Sequence, residues 1–152
     1  MDSLLTTSKQ NSHCVTITNT FKSSAKLATD DALRKIYDNF IHPINKTSIL
    51  AGLPGKYKPS WAADFYKSPM QFGLAMAAKV EQAHHYHIGH VSYNAGKDPH
   101  YPGMVSNAII HTKIIQMSVN RLKHRLVFFD DEHPNPFRCP LSAYTDRADL
   151  TP

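Results

Sequence analysis

Four histidines fall within seven positions, His84, His85, His87 and His90, in the run AHHYHIGHV. Imidazole titrates near neutrality, so such a cluster can exchange protons or bind metal. In an extended segment side chains alternate, which puts His85 and His87 on one face and His84, Tyr86, Ile88 and His90 on the other. Metal binding is one use of the pair: an H-x-H strand supplies two ligands to zinc or iron, with His111 or His133 as a third. No HExxH or CxxC completes a familiar ligand set, so neither a metal nor another cofactor is expected. Cleaving RNA is the other use. It needs a base for the 2′-hydroxyl, an acid for the departing 5′-oxygen, and cations for the charge that builds on the phosphate. On the segment Ser106–Met117, alternation brings out His111 beside Lys113. The next segment offers His124 and Arg125, and the stretch after it His133 and Arg138. With His85 and His87, these are the candidates for an active face; taken singly, each also fits a structural histidine or a surface cation. Lys56 and Lys58, interleaved with Tyr57 and Trp61, could meet phosphate while the rings stack on bases.

The elements that must position these groups are legible in part. HCVTITNT, from His13 to Thr20, alternates as a half-buried strand does. Thr29 and Asp30 can cap a helix with Leu33, Ile36, Tyr37, Phe40 and Ile41 on one side, and Pro43 is expected to end it. Residues 43 to 60 read as a basic loop, with one helical turn possible at Ser48–Leu53. Ser68 and Pro69 open a short helix over Met70–Lys79. Then come an extended segment over Val80–Ser92, a loop over Asn94–Gly103, and two β-rich segments, Ser106–Met117 and Lys123–Phe129, that suggest an antiparallel hairpin. The prolines of Asp130–Pro140 close the sheet. The fold class expected is α+β: an N-terminal strand and helices packed on a C-terminal antiparallel sheet. Residues 1–12 read as a lead-in, 13–140 as one domain and 141–152 as a tail.

The chain has 152 residues, 41% hydrophobic and 19% charged, which suits one ordinary domain with its own core. Its 17 Lys and Arg exceed its 12 Asp and Glu, a net charge of +5 with histidine neutral, so a polyanion is the natural partner. Between Pro99 and Phe129 there are four basic residues and no acid. No apolar run approaches the roughly 20 residues of a membrane span, so no membrane partner is expected. MDSLLTTSKQ lacks the pattern of a secretory leader, and Cys14 and Cys139 form no paired motif; both point to a reducing, cytoplasmic setting. GxxxxGK[ST] and GxGxxG are missing, so a glycine-loop nucleotide site has no support.

The order of motifs resembles the YafO family of ribosome-dependent mRNA-cleaving toxins of bacterial toxin-antitoxin systems. Leu53-Pro54-Gly55-Lys56-Tyr57 is similar to its Leu-Pro-x-x-aromatic step, and Phe65-Tyr66-Lys67-Ser68-Pro69 to its Tyr and Pro step. His85-Tyr86-His87 matches its His-x-His strand. The last strand, Arg125-Leu126-Val127-Phe128-Phe129, is followed after an acidic turn by His133 and later Arg138. The resemblance covers about residues 13 to 140. It implies a small RelE-like fold and a metal-independent endoribonuclease acting on mRNA in the ribosomal A site, silenced by an antitoxin protein encoded beside it. His85 or His87 would then be the general base and His111 or His133 the acid. Lys113, Arg125 and Arg138 would stabilise the transition state, with Lys123, Lys56 and Lys58 also on RNA. A histidine-ligated metal enzyme and a non-catalytic RNA- or ribosome-binding module are the alternatives.

Overall fold

A computed structural model describes residues 11–61, 69–90, 93–95, 103–132 and 139–144. The chain is α+β, with a five-stranded mixed sheet among the described residues. β1 (Ser12–Ile17) is followed by α1 (Asn19–Ser24), α2 (Asp30–Ile36) and, after a π-helical turn over Tyr37–Ile41, α3 (His42–Thr47). β2 (Tyr57–Pro59), α4 (Pro69–Val80), β3 (Ala83–His87), β4 (Ile109–Ser118), β5 (Arg121–Asp130) and α5 (Leu141–Tyr144) complete the order. The strands lie in the order β1-β5-β4-β3-β2, with β1 parallel to β5 and every other neighbouring pair antiparallel.

β1 stops earlier than its alternation suggests, because Thr18 turns the chain. Its hydroxyl donates to the Leu126 carbonyl at 2.8 Å and accepts from Phe21 N at 3.0 Å, capping α1 and tying it to β5. Thr29 caps α2 in the same way, accepting from Ala32 N at 3.1 Å. Pro43 does not end the helical run, contrary to expectation. The π turn has already shifted the ladder, with His42 N–H bonded to Tyr37 O, so Pro43 falls in the first turn of α3, where a missing N–H costs little. Ser48, left-handed at φ 62°, ends the run instead of opening a helical turn. The wider turn also changes which side chains face inward. Ala32, Ile36, Phe40 and Ile44 are buried, whereas Leu33 and Tyr37, expected on the core side, are exposed. A spacing of four drifts around a helix of 3.6 residues per turn, and the π turn restores the stripe.

The expected basic loop contains β2, with Tyr57 and even Lys56 buried. The helix after Pro69 is present and runs to Val80. The hairpin is present with a tighter turn than expected, its strands separated only by Val119 and Asn120, and β5 extends beyond the expected segment at both ends. α5 lies in the stretch read as a tail and buries Ala143 and Tyr144.

Each sheet face has its own cluster. The larger, under α1 to α3, joins Phe21, Ile36, Phe40 and Ile44 to Val15, Tyr86, Ile110, Ile114, Leu122 and Leu126 of the sheet. The smaller, on the opposite face, gathers Trp61, Ala75 and Ala78 of α4, Ala83, Val127, Ala143 and Tyr144. At the outer edge of β1, His13 N donates to Ser48 O at 2.9 Å and Val15 N to the Asn45 side chain at 2.8 Å. No helix among the described residues is long and apolar enough to cross a membrane.

Candidate functional site

The face opposite α1 to α3 collects the groups the sequence singled out. Register places Lys58 opposite His85, His85 opposite His111, and His111 opposite Phe128, so these form one row across four strands. The adjacent row runs from Ala83 through Lys113 to Arg125, and a further one pairs Ile115 with Lys123. On the other side His87 lies opposite Ile109, and Ile109 opposite Asp130. Lys56, whose carbonyl accepts from His87 N at 3.1 Å, flanks Tyr57 and so shares the face of Lys58 by alternation. His85, His87, His111, Lys113, Lys123, Arg125, Lys56 and Lys58 therefore share one sheet face. His133 and Arg138 lie outside the described residues. His124, also named from the sequence, belongs to the opposite face, because it alternates with Lys123 and Arg125.

Three imidazoles on this face are oriented by hydrogen-bond partners. His85 Nδ1 is 3.0 Å from Ser60 Oγ, and its ring centre is 5.6 Å from that of His87. His87 Nδ1 sits against the backbone of Ser106, 2.7 Å from its carbonyl oxygen and 3.0 Å from its amide nitrogen. His111 Nε2 is 2.5 Å from Asp130 Oδ2. Gly55 allows the close approach that sets this end of the sheet, since a β-carbon there would collide with the His87 carbonyl oxygen and the Tyr86 ring.

Two carboxylates join the face that the sequence reading had not assigned to it. Glu81, at the turn after α4, holds Lys113 Nζ at 2.7 Å. Asp130 arrives through a β-bulge: Thr112 pairs with Leu126 but His111 with Phe128, so Val127 is the extra residue and the alternation of β5 flips. Strict alternation from Arg125 would have sent Asp130 into the apolar core under the helices. The one sequence signal was the acidic pair Asp130 and Asp131 directly after a strand of apolar residues.

The imidazoles are buried; the side chains of Lys113, Glu81 and Asp130, at 27%, 22% and 28% exposure, mark where this polar face meets solvent. Among the described residues, no group of three or more His, Cys, Asp or Glu is arranged to hold a metal ion, so His85, His87 and His111 do not converge as ligands. Burial pushes the Cys139 thiol up to about 12, which keeps it protonated and unsuited to act as a nucleophile.

No family model, curated protein or solved structure matches this chain.

The opposite face carries a different polar group. His13 Nδ1 lies 2.8 Å from His124 Nε2, His124 Nδ1 lies 2.8 Å from the Tyr57 hydroxyl, and that hydroxyl lies 2.7 Å from Thr112 Oγ1. Burial holds the His124 imidazole well below its usual range, and the neighbouring His13 and His84 add to this. His13 is lowered by burial too, and His84, packed against Trp61, is lowered to about 3. These rings are neutral structural members of the core.

Proposed function

We propose that this chain is a metal-independent endoribonuclease that cleaves mRNA on the ribosome. The observation that carries the reading is the composition of one sheet face: three oriented imidazoles, His85, His87 and His111, share it with Lys113, Lys123 and Arg125. His87 or His85 takes the proton from the 2′-hydroxyl. The 2′-oxygen forms a bond to phosphorus as the bond to the 5′-oxygen breaks, and His111 gives that oxygen its proton. Lys113 and Arg125 balance the charge on the phosphate oxygens as it grows. The product is a 2′,3′-cyclic phosphate and a free 5′-hydroxyl.

The net charge of +5 favours an RNA partner. Because His111 is fully enclosed, the segments covering this face must move when RNA binds, and Lys113, Glu81 and Asp130 mark the way in. Ribosome dependence fits this economy, since the ribosome would hold the mRNA in place and supply much of the orientation. The topology, with the first strand beside the last and α1 to α3 packed on one face, is in keeping with the small toxin-like fold that the motif order suggests. A cognate antitoxin in the bacterial cytoplasm completes the proposal.

The test is controlled expression in a bacterium, with primer extension on a reporter mRNA, beside a His87→Ala, His111→Ala double variant shown by circular dichroism to be folded. New mRNA ends that require translation of the reporter and vanish in the variant are expected. Intact mRNA and unimpeded growth with folded wild-type protein would overturn the reading.

A further inference from the structure

The three imidazoles of the active face are held by partners of different kinds. His85 meets a hydroxyl and His87 a peptide backbone, both neutral, whereas His111 meets the carboxylate of Asp130 at 2.5 Å. An ionised carboxylate only accepts hydrogen bonds, so Nε2 of His111 must be the donor and carry the hydrogen. That fixes the ring's tautomer and plane, and it sets a negative charge against the ring whenever the ring holds a second proton. Asp130 gains this position only through the bulge at Val127, which puts it on the face of His111. Bulges commonly re-aim side chains beside active sites. His111 is itself walled by Phe128, ring centres 6.2 Å apart, so its orientation is held from two sides.

We infer that Asp130 is a positioning residue for His111 and that the two work as a dyad, with His111 as the general acid of the proposed cleavage. The chemical part of this inference rests on the ribonuclease reading above; the pair itself rests on geometry. In the step, the ring's Nδ1 proton passes to the departing 5′-oxygen, the Nε2 hydrogen stays on the ring, and Asp130 remains a carboxylate throughout. His85 and His87 are left to the base role.

Two measurements on the full chain test it. In protein labelled with 15N at histidine, the His111 Nε2–H proton should appear far downfield, as protons in short charge-assisted hydrogen bonds do; the His111→Gln spectrum identifies it. Asp130→Asn should move that signal upfield or remove it, leaving the other histidine signals in place. Asp130→Glu should restore it in part. In cleavage of mRNA on programmed ribosomes, Asp130→Asn should lower kcat by on the order of 10² to 10⁴-fold with KM little changed, in keeping with the loss of an orienting carboxylate elsewhere. Asp130→Glu should recover part of that loss. An unchanged His111 signal in Asp130→Asn would overturn the inference, as would wild-type kcat in that variant. If the wild type cleaves nothing while the signal behaves as expected, the ribonuclease reading fails and the dyad stands. If Asp130→Asn does not fold, the Asp130→Glu signal and kcat decide: both unchanged from wild type would argue against a demand on carboxylate position.

Discussion

Histidines on the two faces of this sheet keep different company. Under α1 to α3, His124 is linked to His13 and Tyr57 in a fully buried chain, and surrounding apolar packing keeps these rings neutral. Across the sheet, His111 faces a carboxylate, and Lys113 and Arg125 occupy the neighbouring row. One residue type thus serves packing on one side and faces charged groups on the other. Adjacent positions, Lys123, His124 and Arg125, divide between the two faces by alternation alone. A count of histidines along the chain therefore says little, and the face each one occupies says much.

The sharpest way to test that difference is pH. His84 and His124 have folded-state values below the 6.5 of an unfolded chain, so the unfolded chain binds more protons below that pH. Stability from these groups is fully present above about pH 6.5 and is lost as pH falls toward the folded values. Each contributes a slope of up to about 1.4 kcal/mol per pH unit. Urea midpoints measured from pH 7.5 to 5 should fall steeply, and His124→Gln should flatten the curve. The comparison breaks if His124→Gln leaves the slope unchanged.

A second test is more local. Tyr57→Phe removes the hydroxyl that joins His124 to Thr112, leaving buried polar groups without that partner. The expected loss is about 1–3 kcal/mol in urea unfolding at pH 7.5. A loss below a few tenths would mean that the chain of hydrogen bonds does not support the core. Lys113→Met should have the smallest effect on stability, about 0–1 kcal/mol, because the Glu81 partner and Lys113 itself are partly exposed. A large loss of stability there, with cleavage unaffected, would reverse the roles assigned to the two faces.

Much of this arrangement is written in local patterns. The pairing of His85 with His87, the hairpin, and His111 beside Lys113 all follow from a period of two along strands. Thr29 as a cap and Pro69 as a helix start follow from backbone hydrogen bonding. What was not legible depends on breaks in those periods. The π turn at Tyr37–Ile41 moved the buried stripe off Leu33 and carried the helix past Pro43. The bulge at Val127 brought Asp130 to His111. Insertion of one residue into a helix or a strand leaves no mark in composition, and it is seen only when partners are paired across space. Glu81 was missed for a related reason: its bond to Lys113 joins positions 32 residues apart.

The closure of the sheet's edges limits how this protein can meet its neighbours. At β1, Ser48 and Asn45 already take the outward amides of His13 and Val15, and at the far side β2 is three residues long and ends in Pro59, which has no amide hydrogen. Among the described residues, these contacts make both borders poor templates on which a second chain could lengthen the sheet, the common route to runaway strand stacking and to capture of extended peptides. A regulator of this protein would then have to grip it through side chains, and a crowded cell could hold many copies without their sheets fusing.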